Sequence, residues 1–182
     1  SEGLAWVESP AGHGYIDGSG KLVIKGEYKG GGDFSGGLAA VQAGKGFGYI
    51  DSKGKLVIPA KYSSAGKFSE GFAAVGSGDK LGYIDRTGKL VIPPRFDKAY
   101  EFHQGRARVI LDGRIAFIDE KGKVAIGPLP SVGRAFDFSH GLARIRIKTR
   151  WGFIDRAGRQ VVPPRYFAAY DFCEGVASVQ DE

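Results

Sequence analysis

One tetrapeptide sets the frame for this chain. Gly14-Tyr15-Ile16-Asp17 returns as Gly48-Tyr49-Ile50-Asp51, Gly82-Tyr83-Ile84-Asp85, Ala116-Phe117-Ile118-Asp119 and Gly152-Phe153-Ile154-Asp155, at spacings of 34, 34, 34 and 36 residues. A second motif keeps the same beat: Gly37-Leu38-Ala39-Ala40-Val41 matches the segments that begin at Gly3, Gly71, Gly105, Gly141 and Gly175. The 182 residues thus hold five copies of the first motif and six of the second. At a fixed period of this length each unit is one supersecondary element that buries its apolar face only against its neighbours. The chain reads as a single array over 1–182, with hairpins near 14–25, 48–59, 82–93, 116–127 and 152–163 and six copies of the first strand.

Within one unit the pattern is that of strands. Ala39 and Val41 recur as small or β-branched apolar residues while positions 38, 40 and 42 vary, which is the period-two signature of a strand with one inward face. Residues 47–51 form a second strand and Lys55-Leu56-Val57-Ile58 a third. Between them Asp51-Ser52-Lys53-Gly54 is a turn: Asp accepts from a downstream N–H and Gly supplies a positive φ. A three-residue hairpin loop with a glycine bulge fits this text. Pro59, Pro93-Pro94 and Pro163-Pro164 follow the third strand and are expected to end it, because proline cannot donate to a ladder. Two aromatics, such as Tyr62 and Phe68, bracket the connection and are expected to fill gaps between repeats. Repeat four departs from the rest, with Gly127-Pro128-Leu129-Pro130 and two extra residues. No useful 3.6-residue periodicity is present. The expected fold is all-β: tandem three-stranded antiparallel repeats forming an open solenoid or superhelical meander, or alternatively a closed propeller-like ring of five or six blades.

Composition narrows the classes. Gly makes up 30 of the 182 residues, in step with so many tight turns, and a single cysteine excludes an internal disulfide framework. No apolar run approaches the roughly 20 residues of a membrane span. The chain opens on Ser1, as expected of an excised fragment or of a chain whose leader has been removed. A periplasmic, envelope or secreted setting is favoured over a cytoplasmic one.

Phe68-Ser69-Glu70-Gly71-Phe72-Ala73-Ala74-Val75 and Leu81-Gly82-Tyr83-Ile84-Asp85 resemble the unit of the bacterial WG-repeat (KWG-repeat) family. The naming dipeptide survives once, as Trp151-Gly152; His13, Phe47, Leu81 and Ile115 hold the other Trp positions, and Ala116 replaces a Gly. The resemblance spans essentially the whole chain. It implies a repeat module without a shared catalytic chemistry, so function has to be argued from sites.

The recurrent acids Asp17, Asp51, Asp85, Asp119 and Asp155 invite a catalytic or metal reading, but Asp beside a turn Gly is a cap, and Asp-x-x-Gly lacks calcium-loop spacing. His13, His103 and His140 occupy three different repeat positions and read as exposed loop residues, because a zinc site needs convergent ligands. Cys173 aligns with Ser35, Ser69, His103 and Ser139 and reads as a drifted polar position. No nucleophile elbow or phosphate loop is present. The expectation is a chain that is not an enzyme and has no cofactor and no metal.

Charge is uneven. Net charge is +6, yet residues 106–165 hold 13 Lys and Arg against 5 Asp and Glu, and every Arg follows Asp85. Two columns change with it. The first-strand column runs Trp6, Ala40, Ala74, Arg108, Arg144, Ser178, and the connection column runs Gly32, Gly66, Tyr100, Phe136, Tyr170. Arg with aromatics is the usual anchor chemistry of interfaces. The candidate partner-binding residues are therefore Arg106, Arg108, Arg144, Arg146, Arg150, Tyr100, Phe136 and Tyr170. A solvated strand face is the competing account. The expected function is a non-catalytic scaffold for another protein with an acidic surface, in a specialised form an immunity or inhibitor protein of a toxic enzyme. The alternative is an envelope or surface module that binds glycan or another anionic polymer. Few interleaved aromatics on the strand face and nearly neutral early repeats make nucleic acid unlikely.

Overall fold

The computed structural model describes residues 2–9, 12–26 and 28–181. Among them there is no helix, and the strands form small antiparallel sheets in chain order. The first sheet holds β1 (Ala5–Ser9), β2 (Gly12–Ile16) and β3 (Leu22–Lys25). The second holds β4 (Gly30–Gly31), β5 (Leu38–Ala43), β6 (Gly46–Asp51) and β7 (Leu56–Tyr62), and the third β8 (Phe72–Ser77), β9 (Lys80–Asp85) and β10 (Leu90–Phe96). The fourth comprises β11 (Lys98–His103), β12 (Arg106–Leu111), β13 (Arg114–Ile118) and β14 (Val124–Leu129). The fifth comprises β15 (Val132–Ala135), β16 (Leu142–Ile147), β17 (Arg150–Asp155) and β18 (Gln160–Tyr166), and β19 (Ala168–Ala169) pairs with β20 (Val179–Gln180). The chain forms two compact units, Ser1–Pro94 and Arg95–Glu182.

Each repeat shows the three expected strands, and in three sheets the connection adds a fourth along the free edge of the first strand. In the second sheet the added pairing is Gly30↔Gln42 and Gly31↔Val41. A backbone edge of unpaired N–H and C=O groups is thereby covered.

The hairpin turn follows the residue chemistry. In repeat two Gly54 N–H donates to the Asp51 carbonyl (2.9 Å) and Asp51 N–H to the Lys55 carbonyl (3.0 Å). The Asp51 carboxylate accepts from the N–H groups of Lys53 and Lys55, both at 2.9 Å. Gly54 sits at φ +81°, and a Cβ there would stand 2.7 Å from Ile24 of the preceding repeat. Gly88 stands in the same relation to Ile58, and Gly158 to Ile126. The glycine thus closes the turn and lets it lie on the neighbouring third strand.

The prolines do not end the third strand. β7, β10 and β18 run through them, because each is an edge strand whose proline nitrogens need no acceptor. The strand bulges there instead: Phe47 pairs with Tyr62 and Tyr49 with Ile58, so five residues of β7 face three of β6. The bulge folds over the α-carbon of the motif glycine. A Cβ on Gly48 would lie 2.4 Å from the Ile58 carbonyl oxygen, and one on Gly82 2.4 Å from that of Ile92. Repeat four carries Ala116 at this position, and its third strand takes another path. Ile115 pairs with Leu129 and Phe117 with Ile126, which shortens the bulge by one residue, through Gly127 and a cis Pro128.

Within each unit the core lies between successive sheets. In the first unit Tyr15 and Ile24 pack with Phe34, Ala39, Val41 and Ile50 of the next repeat. Tyr49 and Ile58 meet Phe68, Ala73, Val75 and Ile84 in the same way. In the second unit Phe117 and Ile126 meet Phe138, Ala143, Ile145 and Ile154. Homologous positions are therefore buried one repeat apart, as a stacked array requires.

Gly82→Ala should lower the unfolding free energy by at least about 2 kcal/mol, because backbone rather than a flexible side chain blocks the methyl. Ala116→Gly should change it by less than about 1 kcal/mol. Urea denaturation of both variants checks the contrast.

Candidate functional site

The recurrent acids serve the turns. Each carboxylate accepts local backbone N–H groups, as Asp51 does, and Asp17 and Asp85 also accept from the hydroxyls of Ser19 and Thr87 at 2.6 Å. These bonds favour the ionised form. The Ser19 hydroxyl chiefly holds Asp17 below the ordinary carboxyl value of 3.8, the Thr87 hydroxyl does so for Asp85, and the Arg159 N–H for Asp155. Among the described residues no three His, Cys, Asp or Glu side chains gather as a metal site would need.

The two diverging columns meet. The connection N–H at the aromatic position donates to the first-strand carbonyl at the other column: Gly32 to Ala40, Gly66 to Ala74, Phe136 to Arg144 and Tyr170 to Ser178, at 2.8–3.0 Å. In the first unit both members are small. In the second the Arg stands over the ring, with the guanidinium carbon 3.5 Å from the Tyr100 centroid for Arg108 and 3.6 Å from that of Phe136 for Arg144. Contacts this close are cation–π stacks. Arg108 also donates Nε to Asp137 at 3.1 Å, and Arg144 Nε stands 2.8 Å from Asp171. Their side chains are only 13 % and 14 % exposed, so neither is a free surface cation.

The reason lies one strand away. In the first unit the motif tyrosine ties the following connection to its sheet: the Tyr15 hydroxyl donates to Gly32 O at 2.8 Å and that of Tyr49 to Gly66 O at 2.7 Å. Burial first, and then Asp33, push the Tyr15 phenol up to about 12, and burial likewise raises Tyr49, so both remain donors. In the second unit the motif residue is Phe117 or Phe153, which has no hydroxyl. The connection is tied there by Arg108 to Asp137, and by Arg144 to Asp171 and the Ala169 carbonyl. The same exchange occurs at a second place. Tyr28 and Tyr62 donate to the turn carbonyls of Gly54 (3.0 Å) and Gly88 (3.3 Å), whereas Phe96 cannot, and Arg95 donates to Gly122 O instead. A further device is common to both units: Arg86 donates to Gly36 O, and Arg156 Nη2 stands beside Gly105.

The remaining candidates are spread over the second unit. Arg106 reaches back to the carbonyl of Gly105 at 2.9 Å. Arg146 stands over Trp151 and Arg150 over Phe167, both with the guanidinium carbon 5.8 Å from the ring centroid. Tyr170 is 62 % exposed. The Nε–H groups of Arg106 and Arg146 are buried without a hydrogen-bond acceptor among the described residues. Sequence reasoning missed Arg134, which faces Arg146 directly across the β15–β16 ladder. The text gave one usable signal, because the two columns stand eight residues apart and change together from Gly–Ala to aromatic–Arg.

The histidines stay apart. His13 packs on Trp6, with ring centroids 5.6 Å apart, His103 lies 3.7 Å from Glu101, and His140 Nδ1 is 2.9 Å from Phe172 O. His13 and His103 lie half-buried in strands rather than in exposed loops, since the connection around His103 is itself strand β11. Cys173 is free and exposed.

A family model, the WG containing repeat, matches residues 14–45, 47–80, 82–114 and 151–182. The chain belongs to the WG-repeat family. The unmatched stretch of this WG-repeat array includes Ala116 and Gly127-Pro128, where the third strand takes its other path. No curated protein sequence matches the chain. Among solved structures it is similar to the extracellular domain of a proposed one-component system, BT4673, from B. thetaiotaomicron, with 10 % identity and a TM-score of 0.45. That match covers 93 % of this chain and 30 % of the other.

The turn carboxyls give the fold a pH dependence of defined sign. Their folded-state values lie below 3.8, so their contribution is complete above that pH and is lost as pH falls through the lowered values. The melting temperature should drop most steeply below about pH 4. Asp85→Asn, which keeps an acceptor oxygen but cannot titrate, should blunt the drop in calorimetric scans at successive pH values.

Proposed function

We propose that this WG-repeat chain is a non-catalytic scaffold that binds another protein through the basic, aromatic side of its second unit. The observation that carries the reading is the pair of buried Nε–H groups on Arg106 and Arg146 that have no acceptor among the described residues. A buried donor left unpaired is unfavourable by roughly 1–3 kcal/mol, and carboxylates of an acidic partner would supply the acceptors in the fork geometry guanidinium prefers. Stacking on rings supports the same reading. Arg108 and Arg144 are braced by their rings and by Asp137 and Asp171, and preorganisation lowers the entropic penalty of binding. The use of the recurrent acids as turn caps supports a non-catalytic role. An inhibitor or immunity protein that occludes a toxic enzyme is the specialised form of this proposal. Glycan or an anionic polymer as ligand is favoured by the exposed rings of Phe167 and Tyr170, 60 % and 62 % exposed, with Arg150 over Phe167.

Affinity capture from the native organism, followed by calorimetry with the captured protein, tests the scaffold reading. Arg106→Glu combined with Arg150→Glu should weaken that complex by at least about 2 kcal/mol, and the loss should shrink as salt is raised. Unchanged affinity in a folded double variant, or binding to polysaccharide alone, would refute it.

A further inference from the structure

The tethers account for much of the arginine excess in the second unit. Arg95, Arg108 and Arg144 stand in for lost tyrosine hydroxyls, and Arg156 repeats the loop contact of Arg86. Arg134 and Arg146 have no such duty. They are direct partners across the β15–β16 ladder, and like charges in that position destabilise a sheet. Among the described residues neither guanidinium has a carboxylate partner. Arg146 keeps a buried Nε–H without an acceptor, while Arg134 reaches solvent. Arg146 stands over the Trp151 ring, but among the described residues the fold gains no ion pair from either guanidinium.

Arg134 also lines a cavity of about 300 Å³ in the second unit, together with Tyr100, Arg108, Ile110, Ile115 and Phe136. Its volume is at the lower end of small-ligand sites. The walls are aromatic and aliphatic, the only charges among the lining residues are the two guanidiniums, and no lining residue is acidic. Arg108 is held in place by its stack on Tyr100 and its bond to Asp137. Among the described residues Arg134 has no comparable restraint, and it is exposed and can move onto a ligand. We propose that this cavity binds an oxyanion, carboxylate or phosphate, carried on a flat apolar group, with Arg108 and Arg134 forking the anion and Tyr100, Phe136 and the two isoleucines covering the apolar body. Arg146, across the ladder, adds to the positive field. This goes beyond the scaffold reading and does not require the ligand to be part of a protein.

The test is titration of the full chain with benzoate and with phenyl phosphate, followed by amide chemical shifts and calorimetry, with benzyl alcohol as the uncharged control. Saturable binding of at least one anion, with shifts centred on residues 100, 108, 134 and 136 and at least tenfold weaker binding of benzyl alcohol, is expected. The tighter of the two anions identifies carboxylate or phosphate as the natural group. Arg134→Gln should weaken the anion at least tenfold while the melting temperature stays level or rises, because the like-charge pair is gone. Arg134→Lys should recover part of the affinity. Absence of saturable anion binding, equal binding of benzyl alcohol, or wild-type affinity in Arg134→Gln would overturn the assignment. Each of these outcomes leaves the scaffold reading to its own test, since Arg106 and Arg150 lie outside the cavity.

Discussion

Repeats one, two, four and five each fasten an irregular connection to the sheet it leaves through a side-chain donor. The need is physical: connections carry backbone carbonyls into the partly buried space between sheets, where an unpaired acceptor is unfavourable. In the first unit the donor is a phenol, from Tyr15 and Tyr49 to the connection and from Tyr28 and Tyr62 to the turn glycine of the next repeat. In the second unit the phenols become Phe117, Phe153 and Phe96, and a guanidinium from a neighbouring position reaches the same region. The sheets themselves are little changed. Ala107, Val109, Ala143 and Ile145 are as buried as Ala39 and Val41.

That exchange alters what divergence between repeats means. A column that turns from Ala40 and Ala74 to Arg108 and Arg144 would suggest selection for recognition if packing were identical in every unit. Packing is not identical, because the residue on the neighbouring strand has lost its hydroxyl. A guanidinium is longer than a phenol and needs support along its stem, which Tyr100 and Phe136 give where Gly32 and Gly66 gave none. Structural and functional arginines are then separated by their partners: those with a carbonyl or carboxylate of the chain tie the fold, and those facing another cation, as Arg134 and Arg146 do, are candidates for a ligand.

Much of the fold was legible in the text because it is written locally. Asp51 and Gly54 stand three residues apart and settle the turn between them, and the alternation at 39 and 41 marks the inward face without reference to any other segment. Membership of the WG-repeat family could be read in the same way. The prolines misled because a local rule, that Pro ends a ladder, depends on which side of the sheet the strand occupies. Pro93 and Pro94 sit on an edge. The fourth strand was missed because Gly30-Gly31 has no strand signature and is held only by pairing with Gln42 and Val41. The candidate site was legible in composition but not in role. Whether Arg108 faces solvent or a ring depends on the register of a connection, and that register shows only when columns eight residues apart are read together. Arg134 could be found only once β15 was known to pair with β16.

The most direct measurement uses the protein's own alternatives. Lys61-Tyr62 in repeat two and Arg95-Phe96 in repeat three are two solutions to one contact with a turn carbonyl. Arg95→Lys should lower the unfolding free energy by about 1 kcal/mol, since the Gly122 carbonyl loses its donor. Phe96→Tyr alone should do little, because Arg95 already occupies the acceptor. The pair Arg95→Lys with Phe96→Tyr rebuilds the repeat-two solution and should recover most of the loss, a coupling of about 1 kcal/mol in a double-mutant cycle. Strict additivity, with no recovery in the double variant, would contradict the claim that guanidinium and phenol are interchangeable ties in this array.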